Sequence, residues 1–268
     1  MQVIPVQAVH RGFGTTSRRD KWWAAPLGVF LGLLTFLIYV HWAMFQGEHY
    51  TFGPYLSPFY APELWGSSPH AWFGEVPPFW PSFIPFSPAL LILPFPAGFR
   101  FTCYYYRGAY YKSFWADPIS CAVGEPRKSY IGENAFPLII QNIHRYFLYA
   151  ALVFIFLLSY DVWLAMWWPS AADPAVKEFG IGLGTLIMAA NVVLIGGYTL
   201  GCHSLRHLVG GRKNEISKSA VSDACYSCTS NLNNKHQLFA WASLISVMLT
   251  DVYIRLCSMG YLSDPRLL

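Results

Sequence analysis

Charge is what this sequence has least of. Only 12% of its 268 residues are Asp, Glu, Lys or Arg, where a soluble globular domain carries about 25%. A chain that is 54% apolar and 18% aromatic has more hydrocarbon than a water-soluble core can hide, so the composition points to the bilayer. Lysine and arginine are missing altogether from Gln46 to Phe99. No second CxxC completes the pair Cys225–Cys228, which leaves that motif a weak half of a zinc site. No repeat stands at solenoid spacing. The first apolar run is too long for a signal peptide and lacks a small-residue cleavage pattern, so no secretory signal is expected. The net charge of +4 follows from loop topology and implies no nucleic-acid partner.

What is present is a series of long apolar runs. Trp22 to Phe45 holds 24 residues without a charge, and a membrane-spanning helix needs roughly 20. Phe147 to Trp168 contains only Asp161, Phe179 to Leu205 contains no charge, and Gln237 to Cys257 contains Asp251 and, near its end, Arg255. Phe83 to Tyr106 is interrupted by Pro85, Pro88, Pro94 and Pro96 and carries Arg100. Membrane helices tolerate proline where neighbours satisfy the freed carbonyls. The expected fold is therefore an all-α polytopic membrane helix bundle, a single domain with five transmembrane helices. The spans fall at about 22–45, 83–106, 137–168, 179–209 and 236–257. The outer loop 46–82, rich in proline and aromatics, is expected to lie along the membrane interface.

The distribution of basic residues orients this bundle. Arg11, Arg18, Arg19 and Lys21 precede the first span, whereas Lys177 alone follows the third. The segments after the second and fourth spans are rich in Lys and Arg. The positive-inside rule puts the N-terminus in the cytoplasm and the C-terminus outside. On that map Cys103, Cys121, Cys202, Cys225 and Cys228 fall on the cytoplasmic side, as do His144, His203, His207 and His236. The cytoplasm is reducing, so disulfides are not the explanation.

Depth is the more informative observation. Cys103 lies four residues before Arg107, His144 seven past Pro137, Cys202 ten before Arg212, and His236 directly after Lys235. Four helices thus bring two thiols and two imidazoles to one level. On a continuous helix Cys202 and His203 would point ~100° apart, whereas His203 and His207, four apart, share a face. Taken singly, each such residue is commonly a packing or headgroup-bonding side chain; their clustering raises a metal centre. Two Cys and two His can hold zinc, or a [2Fe–2S] cluster in which histidine replaces cysteine on one iron. The paired CxH and CxxH loops of soluble Rieske proteins are lacking, so the ligands would come singly from separate helices. Haem b, held by two facing histidines, is the alternative.

The stretches FRFTCYYYRGAYYKSFW, CAVGEP, LIIQNIHRYF, GCHSLRH and HQLFAWASLISVMLTDVYIRL together resemble the membrane anchor of bacterial succinate dehydrogenase. The closest match is the class with a single five-helix anchor and a Rieske-type cluster in the membrane. The resemblance covers about residues 99 to 257. It implies a subunit of the bacterial cytoplasmic membrane that does not itself oxidise succinate. Such a subunit docks a flavoprotein and an iron–sulfur subunit on its cytoplasmic face and passes their electrons to quinone. Ranked by depth, the candidate ligands are Cys103, Cys202, His144 and His236, followed by His203, His207 and Cys121.

The cytoplasmic surface suits docking, because Arg107, Lys112, Arg127 and Lys128 alternate with Tyr110, Tyr111, Phe114, Trp115 and Tyr130. The same pattern also fits an interfacial aromatic belt. Asp161 and Asp251, ionisable groups inside spans, are candidates for a proton route or for bundle hydrogen bonding. A metal-handling transporter is the rival from another class, though only one span looks interrupted and the polar groups gather at one face. The orientation is directly testable. A cysteine replacing Asp264 should label from outside and one replacing Lys218 only from inside; labelling of both from the same side would overturn the map.

Overall fold

The structure, a computed structural model, describes residues 12–117, 122–126, 134–136, 138–170, 172–173, 175–211 and 214–268. Among these described residues, four helices are long and apolar enough to cross a membrane. They are α1 (Ala24–Gln46), α5 (His144–Leu164, continuing a 3-10 turn over Leu138–Ile143), α6 (Leu183–Leu200) and α9 (His236–Ser258). The expected span over 83–106 is not one helix. It is α2 (Pro88–Ile92), α3 (Pro94–Thr102) and α4 (Tyr104–Phe114). Leu93 keeps helical geometry between α2 and α3, so the true break is at Cys103, where the backbone turns extended.

The expected span over 179–209 is also divided. After the two-residue strands β1 (Thr51–Phe52) and β2 (Tyr55–Leu56), which pair antiparallel, Phe179 belongs to strand β4 (Lys177–Phe179), paired antiparallel with β3 (Trp167–Pro169). At the other end, Gly201 and Cys202 separate α6 from α7 (His203–Gly210). A polar helix, α8 (Ala220–Asn234), then leads to α9. Trp167 and Trp168, expected at the end of the third span, lie in β3.

Contacts divide the chain into two compact units. In the first, residues 1–35 and 101–142, the segment after Gly12 pairs with residues 122–124. Gly14 N donates to Gly124 O at 2.9 Å, and Thr16 bridges Val123. Phe30 packs on Phe114 at 4.8 Å between ring centres.

The second unit, residues 36–100 and 143–268, is built on α6, which packs against both α9 and α5. One end of this bundle is closed by polar contacts. The carboxylate of Asp251 and the guanidinium of Arg255, both buried, pair at 2.7 Å. Tyr39 donates to Asp251 Oδ2 at 2.6 Å and Ser57 donates to Oδ1. Arg255 also donates to the carbonyls of Glu48 and Ala43. The loop 46–82 does not simply lie flat: Tyr55, Tyr60 and Glu63 are fully buried, and Tyr50 stacks on Tyr60 at 4.1 Å. The C-terminal tail straps the start of α6, with Leu267 N on Ile181 O at 2.7 Å and Asp264 accepting from Gly184 N, Tyr55 and Tyr253.

Asp251 is thus hydrogen-bonded and ion-paired to Tyr39, Ser57 and Arg255. Asp161 differs: one of its carboxylate oxygens is buried with no hydrogen-bond partner among the described residues. Removing one member of a buried ion pair leaves the other uncompensated, a loss of about 3–5 kcal/mol. Asp251→Ala should accordingly lower the thermal unfolding midpoint of the purified protein sharply, and Tyr39→Phe by less. An unchanged midpoint in Asp251→Ala would show that the pair does not hold this end together.

Candidate functional site

At the opposite end of the second unit the helices bring two of the expected ligands into contact. His144 opens α5 and Cys202 caps α7; both are buried, and His144 Nε2 lies 3.1 Å from Cys202 Sγ. His236 opens α9 and lies within electrostatic range of His144. Each imidazole is held flat against an aromatic ring. His144 stacks on Phe99 with centres 4.6 Å apart and planes 8° apart, and His236 stacks on Tyr198 at 4.9 Å and 18°. Tyr198 meets Phe99 edge-on at 5.4 Å, so one aromatic wall joins both histidines. Arg100 lies 4.7 Å over the Tyr198 ring and donates to Ser243 Oγ at 2.9 Å.

Cys103 lies in the first unit, buried, at the N-cap of α4. Its backbone (φ −61°, ψ 133°) nearly matches that of Cys202 (φ −66°, ψ 137°). Each thiol thus occupies a break between consecutive helices, at the N-terminal end of the second, where the helix dipole favours negative charge. A sulfur on an unbroken helix would lack that setting. The expectation that Cys202 and His203 share one helix is corrected accordingly.

His203 and His207 form a pair of their own on α7, exposed, with Nε2 atoms 3.0 Å apart. Partial desolvation, with help from His207 and Arg206, holds His203 below the ordinary histidine value. Cys225 and Cys228 are exposed on α8. Cys121 lies outside the described residues, as do Arg127, Lys128 and Tyr130 of the expected docking surface. Among the described residues, no group of three or more His, Cys, Asp or Glu side chains converges as a metal site.

The stacking residues were not foreseen, although a sequence signal for them exists. Gly98-Phe99-x3-Cys103-x3-Arg107 recurs as Gly197-Tyr198-x3-Cys202-x3-Arg206. Likewise Asn142-x-His144-x2-Phe147 recurs as Asn234-x-His236-x2-Phe239. The two copies also pack alike. A Cβ on Gly98 would overlap the Phe147 ring, and a Cβ on Gly197 would overlap the Phe239 ring. In each copy the glycine admits the phenylalanine three residues after a histidine, and that histidine stacks on the aromatic residue after the glycine.

Residues 24–260 match the family described as actinobacterial succinate dehydrogenase subunit SdhC. A solved structure, the Mycobacterium smegmatis Sdh1 complex in the apo form, contains a chain 45% identical to this one. The two superpose with a TM-score of 0.83 over 94% of each chain. No curated protein matches this chain.

The glycine contacts carry a sharp expectation. Gly197→Ala and Gly98→Ala should each destabilise the protein by about 1–3 kcal/mol through overpacking. Gly196→Ala, whose new methyl would meet nothing within 4 Å, should be neutral or gain up to about 1 kcal/mol from helix propensity. Thermal midpoints of the three variants decide it; equal effects at Gly196 and Gly197 would remove the packing argument.

Proposed function

The chain belongs to the actinobacterial SdhC family, and from that premise we propose that it anchors the flavoprotein and iron–sulfur subunits of succinate dehydrogenase and passes their electrons to quinone. It is a membrane subunit of a bacterial enzyme complex, not a catalyst acting alone. We assign it a single membrane domain with the N-terminus in the cytoplasm and five crossings, the second supplied by α2 and α3, which run on through Leu93. The redox group we assign is a Rieske-type [2Fe–2S] cluster with Cys103, Cys202, His144 and His236 as ligands.

The observation that carries this reading is that helix ends bring a buried thiol, Cys202, and a buried imidazole, His144, to face each other. A thiol and an imidazole are the two donor types of such a cluster. The internal repetition supports the other two ligands, since Cys103 occupies the motif position of Cys202, and His236 that of His144. A Rieske-type cluster takes two cysteines on one iron and two histidines on the other. That ligand set asks for one pair of equivalent thiols and one pair of equivalent imidazoles, which is what a duplicated motif provides. Haem b would use the histidines and give the two buried thiols no part.

Bound here, the cluster would supply one-electron chemistry at a potential raised by its histidine ligands. The chain's own residues do the positioning. Phe99 and Tyr198 fix the imidazole planes, burial keeps water from Cys202, and the helix breaks aim the thiols out of the backbone ladder.

In the reduced complex the expected result is an EPR signal with the low average g value of a histidine-ligated [2Fe–2S] centre. Replacing His144 and His236 together with Ala should abolish it. Succinate oxidation by a dye that draws electrons from the soluble subunits should persist in that variant, while quinone reduction drops to background. Stoichiometric haem b by pyridine haemochrome, with no such EPR signal, would sink the assignment.

A further inference from the structure

We propose that His203 and His207 form a separate binding site for a borderline divalent transition-metal ion, Cu²⁺ or Zn²⁺, on α7. His203 follows the assigned ligand Cys202 directly, but the site uses neither that thiol nor the buried imidazoles and rests on His203 and His207 alone. The two residues are four apart on a helix and share a face, and α7 lies outside the four membrane-length helices. Their Nε2 atoms approach to 3.0 Å with the ring planes 80° apart, so the same nitrogen of each ring faces a common point.

That separation suits one shared ion. Zinc–imidazole bonds are about 2.0–2.1 Å, so two such nitrogens lie about 2.9 Å apart at a right angle and about 3.4 Å apart at a tetrahedral one. The observed distance falls between these limits. A hydrogen bond from one ring to the other is the competing use of the same geometry, and metal binding replaces its single proton.

The surroundings define the ion. His207 borders a cavity of about 690 Å³ that Ser204, Tyr149 and Arg145 also line, which leaves room for coordinated water beside its ring. No carboxylate lines this cavity. Arg206, next on the helix, turns instead to Tyr226, donating to its hydroxyl at 2.9 Å. Among the described residues lining the cavity there is a cation and no carboxylate, which disfavours Mg²⁺ and Ca²⁺, ions that require oxygen ligands. Two neutral imidazoles suit Cu²⁺ and Zn²⁺.

The test uses the intact, purified complex in metal-free buffer. With one equivalent of CuCl₂, the EPR spectrum should show superhyperfine splitting from two equivalent nitrogens. His203→Gln and His207→Gln should each lose that pattern and, by equilibrium dialysis against ZnCl₂, should each bind one Zn²⁺ fewer per complex than the parent. Excess MgCl₂ should not displace the Zn²⁺. Equal Zn²⁺ binding by the parent and both variants would overturn the proposal. So would a parent complex that takes up no metal, or a Cu²⁺ spectrum without two nitrogens.

Discussion

Helices packed in lipid gain little from the hydrophobic effect, so their association depends on how closely backbones and side chains can approach. In this protein that approach is made by a glycine receiving a phenylalanine ring, once at Gly98 with Phe147 and once at Gly197 with Phe239. The aromatic residue after each glycine then meets the histidine three residues before the phenylalanine. Glycine, ring, ring and imidazole form one unit in each copy. A methyl group at either glycine would drive the rings apart and with them the histidines. The positions of His144 and His236 are thus set by packing in α3, α5, α6 and α9 and need no loop to hold them.

The other end of the second unit obeys a different rule. Charges that enter an apolar bundle must be paired and hydrogen-bonded, and Asp251 and Arg255 meet that demand with Tyr39, Ser57 and two backbone carbonyls. The loop between α1 and α2 supplies Ser57 and the Glu48 carbonyl, and its Tyr55, Tyr60 and Glu63 are also buried. Polar satisfaction closes one end. The other end keeps Cys202 and the imidazoles of His144 and His236 at helix termini.

Much of this was legible in the sequence, and the misses share a cause. Four apolar runs became four long helices, because length and hydropathy are sufficient to specify a span. Depth counting correctly brought His144 beside Cys202. The assumption that failed was helical continuity through Cys103 and Cys202. Neither break contains a proline, and hydropathy has no term for an extended residue between two helical turns. The histidine stacking partners were missed for a related reason: ligand-type residues were sought by chemistry, whereas Phe99 and Tyr198 reveal themselves only when the two copies of the motif are aligned. The burial of Tyr55, Tyr60 and Glu63 in the outer loop was not legible, because proline and aromatic content alone reads as an interfacial belt, while partners such as Asp264 of the C-terminal tail are distant in sequence.

Where the two copies depart from each other, they depart in charge. The residue after Phe99 is Arg100, and its counterpart after Tyr198 is Thr199. The guanidinium reaches across to the second copy, over the ring of Tyr198 and onto Ser243, and His236 lies within its electrostatic range. A fixed positive charge near a buried centre stabilises whatever extra negative charge that centre takes up, and more so where water is excluded. Duplication alone would give two equivalent halves. Arg100 makes them unequal in charge, although both imidazoles are held by the same packing.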